Sequence, residues 1–222
     1  MNKIYWSLSL ALLCLPFVSL AQGPEDHHSK CLAHYLYEQQ IANDPQYAAN
    51  QARLEEETAV YTQDYIQRKS SGAANRNASV LRVIPVVFHV IHEGGSENIS
   101  KAQLQNQLDL LNADFRHLNA DSVNTPAPFL ALAADVEVEF RLATLDPTGN
   151  CTDGIVRINS PLTNNARDNV KAVSYWPSNK YLNVWVVKTI QNLSGSAGIV
   201  LGFAQFPGGN AATDGVVLRH DY

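Results

Sequence analysis

The stretch Leu81–Glu93, LRVIPVVFHVIHE, most constrains the fold because it is a long apolar run rich in β-branched residues. Such a run predicts a strand that is buried on both faces at the centre of a sheet. The segment after it, NISKAQLQNQLDLLNADFR, has helical spacing, and Ser100 and Gln103 form a capping-box pair at its start. The apolar face of this predicted helix consists of Leu104, Leu108, Leu111 and Phe115.

Five further segments predict strands. The segment DVEVEFRLATLD alternates with period two and places Val136, Val138 and Phe140 on one face. GIVRINS and YLNVWVVKTI follow, and then the short runs Leu201–Phe206 and Gly215–Leu218 at the end of the chain. A strand, a helix and then several strands predict a mixed α/β sheet with a right-handed crossover. The 45 % of hydrophobic residues is sufficient for such a core.

The part of the chain before this sheet has a different, helical pattern over residues 22–69. Asp44 followed by Pro45 is a helix start, since Asp44 can accept from free backbone N–H groups and proline fits the first helical position. A stripe along the helix consists of Tyr47, Leu54, Tyr61 and Tyr65. One stripe cannot form its own core, so we expect it to dock on another part of the protein.

Two segments indicate processing. The first 21 residues combine the basic start MNK, the apolar stretch Ile4–Val18 and small residues at Ser19 and Ala21, which is typical of a secretory signal peptide. The apolar run is shorter than the ~20 residues of a comfortable span, and no other apolar run approaches that length, so we expect no membrane association after its removal. The stretch Arg68–Ser79 has the composition of an exposed linker. We therefore divide the chain into residues 1–21, 22–76 and 77–222.

Charge and cysteine content limit the partners. The net charge is −5 and no basic cluster is present, which argues against a nucleic-acid partner. Only Cys31 and Cys151 remain after processing, and two cysteines in an oxidising compartment suggest one disulfide by parity.

Local motifs give no complete active site. His89 and His92 are three residues apart on a predicted strand, so their side chains point to opposite faces and do not share an ion. The sequence has no H-E-x-x-H zinc motif and no G-x-S-x-G nucleophile elbow.

Five segments in order nevertheless resemble a known family. They are KCLAHYLYEQQIANDPQYAANQARLEEE, RVIPVVFHVIHEGGSENISKAQLQNQLDLLNADFR, FRLATLDPTGNCTDGIVRI, KYLNVWVVKTI and LGFAQFPGGNAATDGVVL. Together they resemble the secreted pappalysin-family zinc metallopeptidases of the cytophagalysin and ulilysin type, which belong to the metzincins. The resemblance extends over nearly all of Cys31–Leu218.

The resemblance implies a fold class and an activity. The fold is α/β (α+β-like): a helical pro-segment over residues 22–76, then the N-terminal subdomain of a metzincin catalytic domain, with a mixed twisted sheet and a backing helix. The activity is that of a secreted, extracellular endopeptidase that hydrolyses peptide bonds in protein or peptide substrates, with zinc as cofactor and calcium as a further ion of the complete protein. In the family, H-E-x-x-H-x-x-G-x-x-H follows shortly after the strand that corresponds to DGVVL. We therefore expect that motif, and the zinc ligands, beyond Tyr222, which makes this chain an N-terminal portion that is inactive alone.

The resemblance also implies roles for individual residues. Cys31 matches a cysteine that ligates the zinc in the latent form, although Leu32 stands where relatives usually have glycine; the disulfide and the free thiol remain alternatives. Cys151 then pairs with a cysteine beyond the end of the chain or stays free. The candidates for activation cleavage are Arg68, Lys69 and Arg76. The edge-strand residues whose backbone would bind substrate are Leu201, Gly202, Phe203, Ala204 and Gln205.

One alternative belongs to a different class. The chain could be a short, catalytically inactive secreted binding or inhibitor protein derived from such a peptidase. The apolar residues Val216, Val217 and Leu218 would then be uncovered, and uncovered sheet surface promotes aggregation. This expectation favours the peptidase.

Overall fold

The computed structural model describes residues 32–71, 81–192 and 198–222. Within these ranges the α-helices are α1 (Leu32–Asn43), α2 (Pro45–Ser70) and α3 (Lys101–Phe115). The strands are β1 (Arg82–His92), β2 (Val138–Leu142), β3 (Ile155–Asn159), β4 (Leu182–Val187), β5 (Gly202–Ala204) and β6 (Val216–Arg219). The predicted signal peptide and most of the linker, including Arg76, lie outside the described residues.

Strand β1 is the centre of a six-stranded sheet whose order is β2-β1-β4-β6-β5, with β3 also paired to β1. Its first half pairs with β2, from Arg82 opposite Val138, and its second half pairs with β3, from Phe88 opposite Ile155. Strand β4 pairs along the other side of β1, and all three pairings are parallel. The prediction of a central strand in a mixed α/β sheet is confirmed, because β5 pairs antiparallel with β6.

Helix α3 covers one face of the sheet. Its start is the predicted capping box, in which the Ser100 hydroxyl and the Gln103 side chain each accept from the other's backbone N–H. Leu104 and Leu108 are buried against Val86, Phe88 and Phe140 of the sheet, and this packing fixes the position of the helix. Phe115, predicted on the same face, lies at the rim and is partly exposed.

The start of β2 differs from its prediction. The alternating pattern begins at Val136, but the strand begins only at Val138. Glu137 has a φ of 59°, a left-handed conformation that interrupts an extended strand, and its carbonyl accepts from the Arg82 N–H. Val136 is consequently 53 % exposed instead of facing the core.

Helices α1 and α2 follow one another before the sheet with only Asp44 between them, and the pair is called the helical hairpin below. Asp44 caps α2 by accepting from the Tyr47 N–H at 3.0 Å, and Pro45 is the first helical residue, both as predicted. The prediction for the apolar stripe is only half correct, because Tyr47 is buried whereas Tyr61 and Tyr65 are exposed among the described residues. The first half of α2 therefore makes the contacts with the rest of the protein.

The last strand in chain order, β6, is covered on one face. β6 lies between β4 and β5, and Val217 is completely buried against Trp185 and Val187 on the sheet face opposite α3. Val216 and Leu218 are half-buried. The expectation of an uncovered apolar strand is thus wrong for Val217, because the segment between β3 and β4 folds over that face. None of the helices in the described part has an apolar run long enough to cross a bilayer.

Candidate functional site

Strand β5 is an edge of the sheet. Among the strands of the described residues it pairs with β6 only, with Gly202 opposite Leu218 and Ala204 opposite Val216. The predicted substrate-binding residues Leu201 and Gln205 flank these three residues and are not part of the strand. An edge strand presents unpaired backbone N–H and C=O groups, to which an extended peptide can add as a further strand.

Two cationic side chains pack on the aromatic residue of this edge. The guanidinium of Arg167 lies 5.0 Å from the centroid of the Phe203 ring, and the ammonium of Lys171 lies 5.1 Å from it. Cations in this position are attracted by the electron-rich face of the ring. Both residues follow β3 in the chain, so the segment between β3 and β4 supports the edge strand from one face of the sheet.

Lys171 connects this support to the loop that precedes β6. It is 1 % exposed, its ammonium donates to the Thr213 carbonyl oxygen at 2.5 Å, and it pairs with the Asp168 carboxylate at 2.8 Å. The Thr213 hydroxyl in turn donates to the side-chain oxygen of Gln205, directly after β5. This chain of polar contacts fixes both ends of the β5–β6 connection.

The connection between β5 and β6 also carries the contact with the helical hairpin. We refer to Phe206–Gly208 as the β5–β6 turn. The Asn50 side-chain amide donates to the Gly208 carbonyl oxygen at 2.8 Å, and the Gln51 amide donates to the Pro207 carbonyl oxygen. Helix α2 therefore lies at the end of the candidate substrate-binding edge.

His89 is a buried core histidine, in agreement with its position on the predicted strand. Its ring stacks on Trp185 with 5.1 Å between centroids, and its Nε2 donates to the Asn183 Oδ1 at 3.0 Å. The Ser174 hydroxyl donates to its Nδ1 at 2.7 Å. Burial lowers the pKa of His89 to about 4, against a smaller opposing effect of the Asn183 hydrogen bond, so the ring is neutral at pH 7. His92 is only half-buried at the end of β1.

Glu97 is a buried carboxylate in the loop after β1. Its Oε1 accepts from the backbone N–H of Glu93 at 2.7 Å and of Gly95 at 3.1 Å. These backbone donors, the one on Glu93 above all, lower the pKa of the Glu97 carboxyl to about 2, so it is ionised at neutral pH. Its Oε2 has no hydrogen-bond partner among the described residues. The carboxylate therefore organises the loop at the carboxyl end of the central strand.

The remaining predicted site residues are not brought together. Cys31 lies outside the described residues, so neither its disulfide nor its switch role is tested. Cys151 is exposed and free within the described part. Arg68 and Lys69 lie in the last turn of α2, where Arg68 pairs with Asp64 at 2.8 Å.

A zinc ion has no site in the described part of the chain. Residues 32–71, 81–192 and 198–222 contain no group of three histidine, cysteine, aspartate or glutamate side chains that could hold a metal. The described residues thus supply no ligand set for the metal that the family resemblance implies, and we derive no chemical step through it.

Sequence reasoning missed the residues that organise the site. Three buried polar side chains have mainly backbone groups as partners: Lys171, Asn183 and Glu97. Backbone partners of this kind have no signature in a sequence. One signal was available for Glu97, since it follows the glycine pair of GGSE directly after a buried strand, where a tight turn leaves N–H groups to be satisfied.

Comparison with known proteins identifies relatives of this chain, which the site alone does not. No protein-family model and no curated protein matches the chain. Among solved structures, a mutant of promirolysin from Tannerella forsythia is 33 % identical with a TM-score of 0.64 and covers 82 % of this chain. Mature mirolysin from the same organism, in complex with a cleaved peptide, is 39 % identical with a TM-score of 0.57 and covers 65 % of this chain.

The matched part of this protein has the fold of the metzincin peptidases. Within them it is similar to mirolysin and promirolysin of the pappalysin family, so the resemblance seen in the sequence is confirmed. The chain spans about half the length of these relatives, 54 % of mature mirolysin and 57 % of promirolysin.

Proposed function

We propose that this chain is the pro-segment and the N-terminal part of the catalytic domain of a secreted zinc metalloendopeptidase zymogen. The observation that carries the proposal is the similarity to promirolysin over 82 % of the chain, a larger share than mature mirolysin covers. The additional share is expected if the helical hairpin corresponds to a segment that maturation removes. Residues 1–21 serve as signal peptide, and residues 22–76 form the pro-segment with its linker.

In this function the described residues bind and orient the substrate, and zinc supplies the hydrolytic chemistry when bound. The backbone of β5 pairs with an extended peptide, and the contacts of Phe203 with Arg167 and Lys171 hold that strand in place. Zinc ligands are expected in an H-E-x-x-H-x-x-G-x-x-H motif beyond Tyr222. Activation requires a cut in the linker, for which Arg68, Lys69 and Arg76 are the candidates.

We expect residues 22–222 alone to show no peptidase activity with added zinc, and the complete secreted protein to cleave peptides after removal of the pro-segment. The measurement is cleavage of a quenched fluorescent peptide library with and without a chelator, together with the coding sequence downstream of Tyr222. An in-frame zinc motif and chelator-sensitive cleavage support the proposal. Chelator-sensitive cleavage by residues 22–222 themselves would contradict it, and a stop codon after Tyr222 would favour the inactive binding or inhibitor protein.

In the complete protein, we expect Cys31→Ala to raise the activity of the uncut zymogen by at least about tenfold, the equivalent of ~1.4 kcal/mol. A thiolate is a strong zinc ligand, and its removal opens the position that it blocks. Cys151→Ala is the matched control, because it removes the other cysteine, which is exposed and free within the described part and to which the resemblance gives no zinc-ligating role. Equal latency of the two variants would exclude the switch role of Cys31.

A further inference from the structure

Four side chains form a row across the sheet on the face opposite α3. His89 of β1 lies opposite Trp185 of β4, which lies opposite Val217 of β6. Val217 in turn lies opposite Phe203 of β5, and residues directly opposite each other in a sheet share one face. The row ends at Phe203, because no further strand of the described residues pairs with β5.

The hydrogen bonds of β5 show which of its backbone groups face outward. The Arg219 N–H donates to the Leu201 carbonyl oxygen at 2.9 Å, so these two residues form a hydrogen-bonded pair. Hydrogen-bonded and non-hydrogen-bonded pairs alternate in an antiparallel ladder, so Phe203 also bonds to β6, whereas the N–H and C=O groups of Gly202 and Ala204 point away from it. A peptide added to β5 thus bonds to Gly202 and Ala204, and one of its residues lies opposite Phe203 and continues the row.

Two cations lie over the end of this row. The Lys171 ammonium is 5.7 Å from the centroid of the Trp185 ring and 5.1 Å from that of Phe203, and the Arg167 guanidinium is 5.0 Å from the Phe203 centroid. Lys171 is buried and its charge is matched by the Asp168 carboxylate at 2.8 Å. Any peptide residue that continues the row therefore enters a cationic environment.

Arg167 carries the charge that is not matched. It is only partly buried, and its guanidinium has neither an ion pair nor a hydrogen bond within the described ranges. A guanidinium presents its N–H groups in a planar fork, from which a carboxylate can accept two hydrogen bonds at once. Arg167 is thus held by the Phe203 ring with its hydrogen-bonding capacity unused, at the edge to which a peptide adds.

We propose that Arg167 determines substrate specificity by binding the carboxylate of an aspartate or glutamate at the substrate position opposite Phe203. The proposal rests on the proposed function and deepens it, because it names the class of peptide that the edge selects. Successive side chains of an extended peptide point to opposite faces, so the residues on either side of this position point away from Arg167. The preference for an acidic side chain is therefore absent at both adjacent positions.

The test uses the complete protein after removal of the pro-segment and a set of quenched fluorescent peptides. In each peptide, glutamate replaces glutamine at one position, which changes the charge and keeps the shape. At one position we expect kcat/KM to be about fivefold higher for glutamate, the upper range for a partly exposed ion pair, and to be nearly equal at the two adjacent positions. High salt should reduce the ratio. A ratio near one at every position would overturn the proposal.

Variants assign the preference to one side chain. Arg167→Gln should bring the ratio to about one, and Arg167→Glu should reverse it, so that lysine is preferred to glutamine at the same position. A ratio taken within one variant cancels any general loss from a displaced β5, and a merely structural role of Arg167 predicts no reversal. Arg82→Gln is the matched control, because Arg82 is an exposed arginine on β1, which β4 and β6 separate from β5. It should leave the ratio unchanged within about twofold, and an unchanged ratio in Arg167→Gln would contradict the proposal.

A binding measurement separates this proposal from the proposed function. The same peptides carry a single dye and are titrated with the protein in the presence of a zinc chelator, followed by fluorescence anisotropy. We expect the glutamate peptide to have a dissociation constant about fivefold lower than the glutamine peptide, with the same dependence on Arg167. Selective binding without cleavage in zinc would overturn the proposed function and leave the acidic preference standing. Cleavage without that preference would do the reverse, and the absence of both would overturn both.

Discussion

Replacing Trp185 by alanine is expected to lower the free energy of unfolding by about 3 to 5 kcal/mol, the usual range for a buried aromatic residue. Trp185 is fully buried on β4, where it lies opposite His89 of β1 and Val217 of β6. Its indole N–H donates to the Ser174 carbonyl oxygen at 2.9 Å. Alanine would leave a cavity at the junction of three strands and an unpaired carbonyl oxygen.

The measurements are urea unfolding, which gives the free energy, and thermal unfolding, in which the expected fall in Tm is on the order of 10 °C, both followed by far-UV circular dichroism. Phe129→Ala is the matched control, because Phe129 is an aromatic residue that is 58 % exposed. That change should alter the free energy of unfolding by less than about 0.5 kcal/mol. Similar losses for both variants would mean that Trp185 does not occupy the core position described.

The second expected result is a loss of stability in mild acid that is due to His89. Unfolded chains take up a proton on this histidine as the pH falls through about 6.5, whereas the folded protein resists until about pH 4. The unfolded state then binds more protons, so the free energy of unfolding falls by about 3 kcal/mol from pH 6.5 to pH 4. Above pH 6.5 this contribution is complete and constant.

The pH range over which stability is lost distinguishes the contribution of His89 from that of the carboxylates. Glu97 and Asp146 have pKa values lowered to about 2 by backbone donors, so the stability that they contribute is lost only below about pH 4.5. His89→Gln should reduce the slope between pH 6.5 and 4.5, whatever its effect at neutral pH. Unfolding in urea at a series of pH values gives the slope, and an unchanged slope in His89→Gln would contradict the assignment.

Much of the architecture was predictable because its signals are local. The run of β-branched residues identified β1 as central, and the Ser100 and Gln103 pair identified the start of α3. Asp44 and Pro45 identified the start of α2 in the same way. Each of these features is decided by neighbours within a few residues, so one sequence is sufficient to read it.

The errors arose where distant residues decide the outcome. Val136 continues an alternating pattern, but the left-handed backbone at Glu137 ends the strand. Tyr61 continues a helical stripe, but only the first half of α2 reaches the β5–β6 turn. Val217 is buried by residues that follow β3, which no local pattern reveals. Long-range placement, and with it most of the candidate site, therefore required the structure.

The position of β1 in the sheet also determines the order in which the protein can form. Every strand that pairs with β1 comes later in the chain, so the sheet has no stable centre until β4 has emerged. The 26-residue helix α2 needs only local contacts and precedes its target by 158 residues, counted from Asn50 to Gly208. Because synthesis runs from the N-terminus, the hairpin is thus available first, and the sheet is completed in its presence.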